Sequence, residues 1–213
     1  MRANAYKLIQ KLPFIPTECE IDQMIAGCGK RVGTYLQLIK ETATRAGEAW
    51  NLLWSDVDTE NNTIKVTPEK NGNPRMFKVS SKLIAMLNSL PKKSERIFGG
   101  TQLRFHRQNF MGQRKRIANR LQNPRIRKIS FKALRHWKAT MECHRTKDLL
   151  YVKQFLGHKS IMSTLICTHL ITFESDEFTC KVAKTLKEAS ALIEAGFDYV
   201  TDIEDAKLFK KRK

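Results

Sequence analysis

The chain has 213 residues, of which 41% are apolar and 28% charged, a composition typical of a folded globular protein rather than a disordered one. No apolar run is long enough to cross a bilayer, the first residues contain no apolar signal core, and five cysteines without a C-x-x-C pair argue against a disulfide framework or a zinc knuckle. The net charge of +18 at pH 7 instead predicts a polyanionic partner, with nucleic acid favoured over a membrane surface because no basic helix with an aromatic face stands out.

The first half of the chain predicts helices followed by a β-hairpin. Thr17 and Glu20 can form a capping box, which indicates a helix that begins there and ends near Cys28. Alternating residues in two short runs, joined by turn residues, predict an antiparallel hairpin with Lys70 near its tip. The predicted elements are a buried helix over 35–43, a short helix over 45–53, a turn at 55–58, strands at 63–67 and 75–79, and a helix over 80–90.

The second half predicts mainly helix and then changes character. Ser130 is a predicted cap of a helix that runs to Thr146. The other predicted helices of this part cover 101–122, 147–157 and 160–170. The last forty residues predict a small β-α-β-β appendage, with strands at 178–182, 199–203 and 207–209 and a helix from Thr185 to Gly196. We therefore predict an α+β fold that is mainly α, with a small β-sheet or hairpin and this C-terminal appendage.

The positive charge is concentrated outside the appendage. Residues 173–213 hold 8 basic and 9 acidic residues, so residues 1–172 carry +19. We therefore expect residues 1–172 to bind nucleic acid largely through phosphate contacts. The cysteine content favours a reducing compartment, so the expected location is cytoplasmic and associated with the nucleoid.

Three segments carry side chains suited to phosphodiester chemistry. They are R-A-G-E at 45–48, K-A-L-R at 132–135 and L-G-H at 156–158. Arg135 and His158 are 23 residues apart, and position 167 follows His158 by nine. Their order and spacing resemble the tyrosine recombinase (phage integrase) family, and its archaeal branch in particular, over residues 14–172.

The resemblance implies a tyrosine-recombinase catalytic fold that cleaves and rejoins double-stranded DNA through a covalent 3′-phosphoprotein intermediate. It implies a homotetramer on DNA, a monomer in isolation, and neither a metal nor another cofactor. Residues 1–13 are then a linker or the remnant of a DNA-clamping domain, 14–172 the catalytic domain and 173–213 the appendage. The implied site residues are Arg45, Lys70, Lys132, Arg135, His158 and Cys167, the last at the position where the family has its nucleophilic Tyr.

The chemistry of phosphoryl transfer supports these roles independently. A guanidinium offers a planar pair of donors and keeps its charge at any pH, so Arg45 and Arg135 suit the non-bridging oxygens of a scissile phosphate. Lys70 on a hairpin can protonate the leaving 5′ oxygen. His158 can bind a phosphate oxygen or assist proton transfer at the nucleophile, and Lys132 can add a further donor.

The residues also leave structural alternatives open. Arg45 can pair with Glu48 three residues on, and Glu48 can orient a catalytic group. Lys70 can be a solvated turn residue, with Lys65 or Lys78 as the general acid instead.

Two further alternatives concern the helical segments. Arg135 can be one DNA-backbone contact among many, and His158 can cap the end of a helix because Gly157 and Ser160 surround it. Each motif taken alone favours such a structural role, whereas their joint order favours a site.

Cys167 departs from the family pattern. A thiol lies closer to the backbone than a phenolic oxygen, by about 3–4 Å from bond lengths, so we expect Cys167 to replace Tyr inefficiently. Three explanations for Cys167 are open: a substitution introduced to block cleavage, a natural gene copy that has lost its nucleophile, or another tyrosine that acts as the nucleophile. Cys167 favours one alternative function, a non-catalytic DNA-binding remnant with a regulatory role. A second alternative is a type IB topoisomerase-like enzyme, since that group shares the chemistry.

Overall fold

A computed structural model of the chain describes residues 13–69, 72–160, 164, 178–203 and 206–212. The chain divides into two compact units, with the boundary between residues 171 and 172. No described helix is both long and apolar enough to span a membrane.

The first unit is mainly helical with one small antiparallel sheet, as predicted. That sheet has three short strands, which lie side by side in chain order. Its described helices are α1 (Glu18–Gly27), α2 (Lys30–Thr42), α3 (Ala46–Trp50), α4 (Ser81–Asn88), α5 (Leu103–Arg120), α6 (Phe131–Thr146) and α7 (Leu149–Leu156), its strands are β1 (Val57–Asp58), β2 (Thr63–Val66) and β3 (Arg75–Lys78), and 3-10 turns cover Trp54–Asp56 and Pro124–Lys128.

The helix starts predicted from capping residues are confirmed. The Thr17 backbone N–H donates to Glu20 over 2.8 Å and the Glu20 backbone N–H donates to the Thr17 hydroxyl over 3.2 Å, which completes the capping box of α1. Ser130 accepts from the backbone N–H of Ala133 and so caps α6. These local hydrogen bonds satisfy donors that a helix start otherwise leaves unpaired.

Several predicted boundaries are wrong: the helix predicted over 45–53, for example, ends at Trp50. The helix predicted over 160–170 lies almost wholly outside the described residues.

The second helix begins at Lys30 and not near Tyr35, so Gly33 lies inside α2 and does not precede it. A side chain at Gly33 would begin 3.0 Å from the Ile25 carbonyl oxygen of α1. The glycine is therefore needed because α1 and α2 approach closely at this point, and it does not interrupt the helix. The predicted turn at 55–58 contains a strand, because Val57 pairs with Ile64 of β2.

The core of the first unit surrounds Tyr35, which is fully buried on α2. Its ring makes edge-on contacts with Trp50, Phe98, His106 and Phe131. The sheet joins this core through the inward residues of the hairpin, which alternate with outward ones. The core therefore fixes α2, α3, α5, α6 and the hairpin as one packed frame.

The second unit has the predicted β-α-β-β order. Its elements are β4 (Phe178–Ala183), α8 (Leu186–Glu194), β5 (Asp198–Ile203) and β6 (Ala206–Arg212), and the strand order is β4-β6-β5, antiparallel throughout. Ala183, Ala189 and Phe209 form its small core.

Candidate active site

Arg45 lies immediately before α3, at the N-cap position with an extended backbone. Its Nη1 donates to Oε1 of Glu48 over 2.7 Å, and its backbone N–H donates to Oε2 of Glu48 over 2.9 Å. The structural pairing that the spacing allowed is therefore present. The Arg45 side chain keeps 31% of its surface exposed while that of Glu48 has none, so the pair holds one face of the guanidinium and leaves another open.

A second arginine, Arg75 on β3, reaches the same carboxylate. Its Nη2 donates to Oε2 of Glu48 over 2.6 Å, and its Nη1 donates to the carbonyl oxygen of Leu156 over 2.8 Å. Burial raises the pKa of Glu48, but the Arg45 backbone N–H and the guanidiniums of Arg75 and Arg45 lower it by more, so the pKa lies below its ordinary value. Glu48 is therefore a buried carboxylate that stays charged between two arginines.

Arg135 extends from α6 to the ends of two other helices. Its Nη1 donates to the Ala43 carbonyl oxygen after α2, and its Nη2 donates to the Leu156 carbonyl oxygen of α7 over 2.9 Å. Carbonyl groups at a helix C-terminus lack intrahelical donors and carry partial negative charge, so a guanidinium is a favourable partner for them. The Leu156 carbonyl thus accepts from Arg135 and Arg75 together.

His158 follows α7 and contacts Arg135 directly. Its Nε2 lies 2.9 Å from Nη2 of Arg135, and its Nδ1 lies 3.1 Å from Oγ1 of Thr164, which is fully buried. Because a guanidinium only donates, Nε2 must accept, and the proton of a neutral ring is then on Nδ1. Burial, followed by the charges of Arg135, Arg45 and Arg75, lowers the pKa of His158 to about 4, although Glu48 opposes this.

Arg45 and Arg135 line one cleft of about 540 Å³. Their positions along the chain are 90 residues apart, and the fold brings them to a shared concave surface. The cationic residues that line this cleft are Arg45, Arg107, Arg114, Lys132 and Arg135, and its other walls include Thr44, Ala46, Phe110, Met111, Ser130 and Phe131. The cleft can therefore hold an anionic group against several donors at once.

Two predicted site residues, Lys70 and Cys167, lie outside the described residues. Of the hairpin residues near Lys70, Glu69 and Gly72 are described. The Glu69 carboxylate occupies the space that a side chain at Gly47 would need, and a side chain at Gly72 would begin 3.3 Å from Nη1 of Arg45. Glu69 and Gly72, the described residues on either side of this gap, therefore lie against the Arg45 segment.

The two alternative general acids lie on the other face of the hairpin. Lys65 of β2 and Lys78 of β3 are exposed, whereas the alternating residues Arg75 and Phe77 are buried. A strand places neighbouring side chains on opposite faces, so Lys65 and Lys78 face away from the side that carries Arg75.

Arg75, Arg107 and Arg114 contact or line the site without belonging to any of the predicted motifs. The signal for Arg75 is the two-residue period that it shares with Phe77 and Val79, which are buried on the core side of the sheet. Arg107 and Arg114 are seven residues apart, which places them on one face of α5. Within the described ranges, no three His, Cys, Asp or Glu side chains come together as a metal site needs.

Comparison with known proteins identifies the family. Residues 17–172 match the phage integrase family, and the chain belongs to it. Tyrosine recombinase XerA of Saccharolobus solfataricus is 29% identical over 179 residues, which cover 82% of this chain and 57% of XerA. The chain spans about half the length of the curated relatives it matches.

Solved structures show the fold. The catalytic domain of bacteriophage HP1 integrase matches with a TM-score of 0.58 at 24% identity, covering 78% of this chain and 92% of that domain. XerH site-specific recombinase bound to its difH substrate matches with a TM-score of 0.58 at 23% identity, covering 75% of this chain and 51% of XerH. The predicted fold, that of tyrosine recombinase catalytic domains, is confirmed.

Proposed function

We propose that this chain is the catalytic domain of a site-specific DNA recombinase or integrase that cleaves and rejoins double-stranded DNA without a metal. The observation that carries the proposal is the shared cleft: Arg45 and Arg135, from distant segments, line it together with Arg107, Arg114 and Lys132. An anionic backbone is the partner that suits such a cleft, and XerH, a structural relative, is a recombinase solved on its DNA substrate.

In the proposed reaction, which we expect in full from the Cys167→Tyr protein, the hydroxyl at position 167 attacks the phosphorus of one strand. The hydroxyl gives its proton to solvent water as its oxygen bonds to phosphorus, and the bond from phosphorus to the 5′ oxygen breaks. The leaving oxygen takes a proton from Lys70, so the products are a 3′-phosphoprotein link and a free 5′ hydroxyl. The reverse steps, with a 5′ hydroxyl of another strand as nucleophile, rejoin the DNA.

The proposed roles divide between charge and proton transfer. Arg45 and Arg135 bind the non-bridging oxygens, where negative charge builds up in the transition state. Lys132 supplies a further donor at the same cleft, and its exposed position on α6 allows this. His158 accepts from Arg135 and so orients the guanidinium that holds the phosphate.

Cys167 determines how active this form is. We infer that the nucleophile position holds a thiol too short to reach the phosphate, so cleavage by this chain is impaired or absent. Of the other tyrosines, Tyr35 cannot serve, because it is fully buried and its hydroxyl donates to the Ala46 carbonyl oxygen over 2.5 Å. Cys167 equally favours a second function, that of a regulatory DNA-binding remnant which occupies sites without cutting them.

The proposal extends to assembly and organisation. Residues 14–172 form the catalytic domain, residues 1–13 a linker or remnant, and residues 173–213 an appendage. The isolated chain is a monomer, and four copies assemble on two DNA sites during recombination. Sedimentation of the chain with and without its duplex tests both states.

A cleavage assay tests the function. Duplexes that the chain retains from a random pool supply the site, and a nicked version of that duplex traps any covalent complex on a denaturing gel. We expect no adduct with the unmodified chain and an adduct with the Cys167→Tyr protein. Tight, selective binding without an adduct in either protein would instead establish the DNA-binding remnant.

A further inference from the structure

Arg75 is a buried arginine that the proposed reaction does not use. Its side chain is 5% exposed, and both of its terminal nitrogens are engaged, one by Glu48 and one by the Leu156 carbonyl. Among the described residues, its Nε has no hydrogen-bond partner. Because Arg75 is buried and does not line the cleft, it cannot reach a phosphate on the protein surface, so any role in catalysis must act through its partners.

Each partner of Arg75 holds one of the two cleft arginines. Glu48 accepts from Arg45 over 2.7 Å, and the Leu156 carbonyl accepts from Arg135 over 2.9 Å. Arg75 is therefore one contact away from both guanidiniums. Its planar fork can bind a carboxylate in one direction and a carbonyl in another, which a lysine ammonium on a flexible stem cannot do with the same fixed geometry.

The surroundings allow Arg75 to fit there. A side chain at Gly157 would begin 2.8 Å from Nε of Arg75, so the glycine of the L-G-H segment makes room for the guanidinium. A buried charge is costly unless it is paired and hydrogen-bonded, and Glu48 with the end of α7 supplies both.

We propose that Arg75 is a positioning residue, which sets the spacing of the Arg45 and Arg135 guanidiniums on a shared scissile phosphate without touching the DNA. This inference rests on the proposed function. Misplacing a catalytic group by about 1 Å can cost about 100-fold in rate. We therefore expect Arg75→Met in the Cys167→Tyr protein to lower the cleavage rate by about 10- to 100-fold, with a small change in Kd for DNA.

The distinguishing measurement compares a normal scissile phosphate with a neutral methylphosphonate in the same duplex. Guanidiniums act on the phosphate charge, so loss of their alignment slows the charged substrate more than the neutral one. We expect the ratio of the two rates to fall in Arg75→Met and to recover partly in Arg75→Lys, which keeps the buried charge. An unchanged ratio, with both rates lowered equally, would show that Arg75 serves folding alone.

Lys138→Met is the matched control. Glu142 is a second buried carboxylate held by two cations, Lys138 over 2.7 Å and Arg145 over 2.6 Å, and Lys138 does not line the cleft. Its loss should lower stability comparably and leave the rate ratio unchanged. Thermal unfolding of every variant reports the loss of stability, and Arg75→Lys tests the inference if Arg75→Met does not fold.

The two proposals fail in different ways. Absence of cleavage by the Cys167→Tyr protein rejects the enzymatic function and leaves the inference testable by binding. In that case the ratio of Kd values for phosphate and methylphosphonate duplexes is measured with the unmodified chain. A ratio that is the same in Arg75→Met and its parent would reject the positioning role.

Discussion

His158 accepts a hydrogen bond from Arg135, with 2.9 Å between Nε2 and Nη2, while its Nδ1 lies 3.1 Å from the buried Thr164 hydroxyl. The neutral ring is the form that fits this arrangement, because protonation of Nε2 would set two donors against each other. Burial of the ring, and then the charges of three nearby arginines, lower the pKa of His158 to about 4.

This lowered pKa predicts a stability that depends on pH. Between the ordinary pKa of 6.5 and about 4, the unfolded chain binds a proton at this histidine and the folded chain does not. The free energy of unfolding should therefore fall as the pH drops through that window, by about 1 to 3 kcal/mol from this residue. Urea unfolding between pH 4 and pH 7 should show a shallower pH dependence in His158→Gln. Parallel curves for the two proteins would contradict the predicted proton linkage.

Removal of either cleft arginine should separate cleavage from binding. In the Cys167→Tyr protein, we expect Arg45→Ala or Arg135→Ala to lower the cleavage rate by at least about 100-fold, since each removes a donor from the transition state. Most of the DNA affinity should remain, because the chain has 39 lysines and arginines and most of them stay available to the DNA phosphates. Arg125→Ala, which removes an exposed partner of Glu20, is the control and should cleave normally. Cleavage that survives the loss of Arg45 or Arg135 would remove that residue from the phosphate clamp.

Substitution at Gly157 should be costly for two reasons. The residue has φ of +65°, which costs a side chain about 1–2 kcal/mol, and a Cβ would displace Arg75. In the Cys167→Tyr protein, we expect Gly157→Ala to lower both the free energy of unfolding and the cleavage rate. Gly112 of α5 has open space around its Cβ position, so Gly112→Ala should instead stabilise the chain by about 0.5–1 kcal/mol. A stable, fully active Gly157→Ala protein would contradict the close contact between Gly157 and Arg75.

The role of Lys70 can be tested with a changed leaving group. A substrate with sulfur in the 5′ bridging position leaves as a thiolate and needs no proton, so it should restore cleavage by Lys70→Ala in the Cys167→Tyr protein. Lys65→Ala and Lys78→Ala, on the exposed face of the hairpin, should cleave the ordinary substrate normally. If the sulfur substrate does not rescue Lys70→Ala, the general acid is another group, with Lys132 the first to examine.

The basic face of α5 should contribute to DNA affinity through phosphate contacts. Arg107 lines the cleft, and its loss should reduce the slope of log Kd against log salt by about 0.9 for one phosphate contact. Lys82→Ala, an exposed change on α4 outside the cleft lining, should leave the slope as it is. DNA titrations at several salt concentrations measure the slope for each variant. If Lys82→Ala reduces the slope as much as loss of Arg107 does, α5 does not contribute to binding more than other basic surfaces.

Local signals in the sequence determined the helices and the hairpin, because capping residues and hydrophobic periods act between neighbours. The capping box of Thr17 and Glu20 and the cap at Ser130 are of this kind. The order and spacing of Arg45, Arg135 and His158 along the sequence likewise indicate the family without any distance between their atoms.

Only the tertiary structure decided how those residues are held. Arg75 contacts Glu48, 27 residues away in sequence, and the Leu156 carbonyl, 81 residues away. No local pattern predicts which buried arginine will bind which helix end. Likewise, the start of α2 depends on the close approach of α1 at Gly33. The strand β1 forms because Val57 pairs with Ile64 of β2. Such contacts form only when distant segments pack together, so their energies are absent from any short window of the chain.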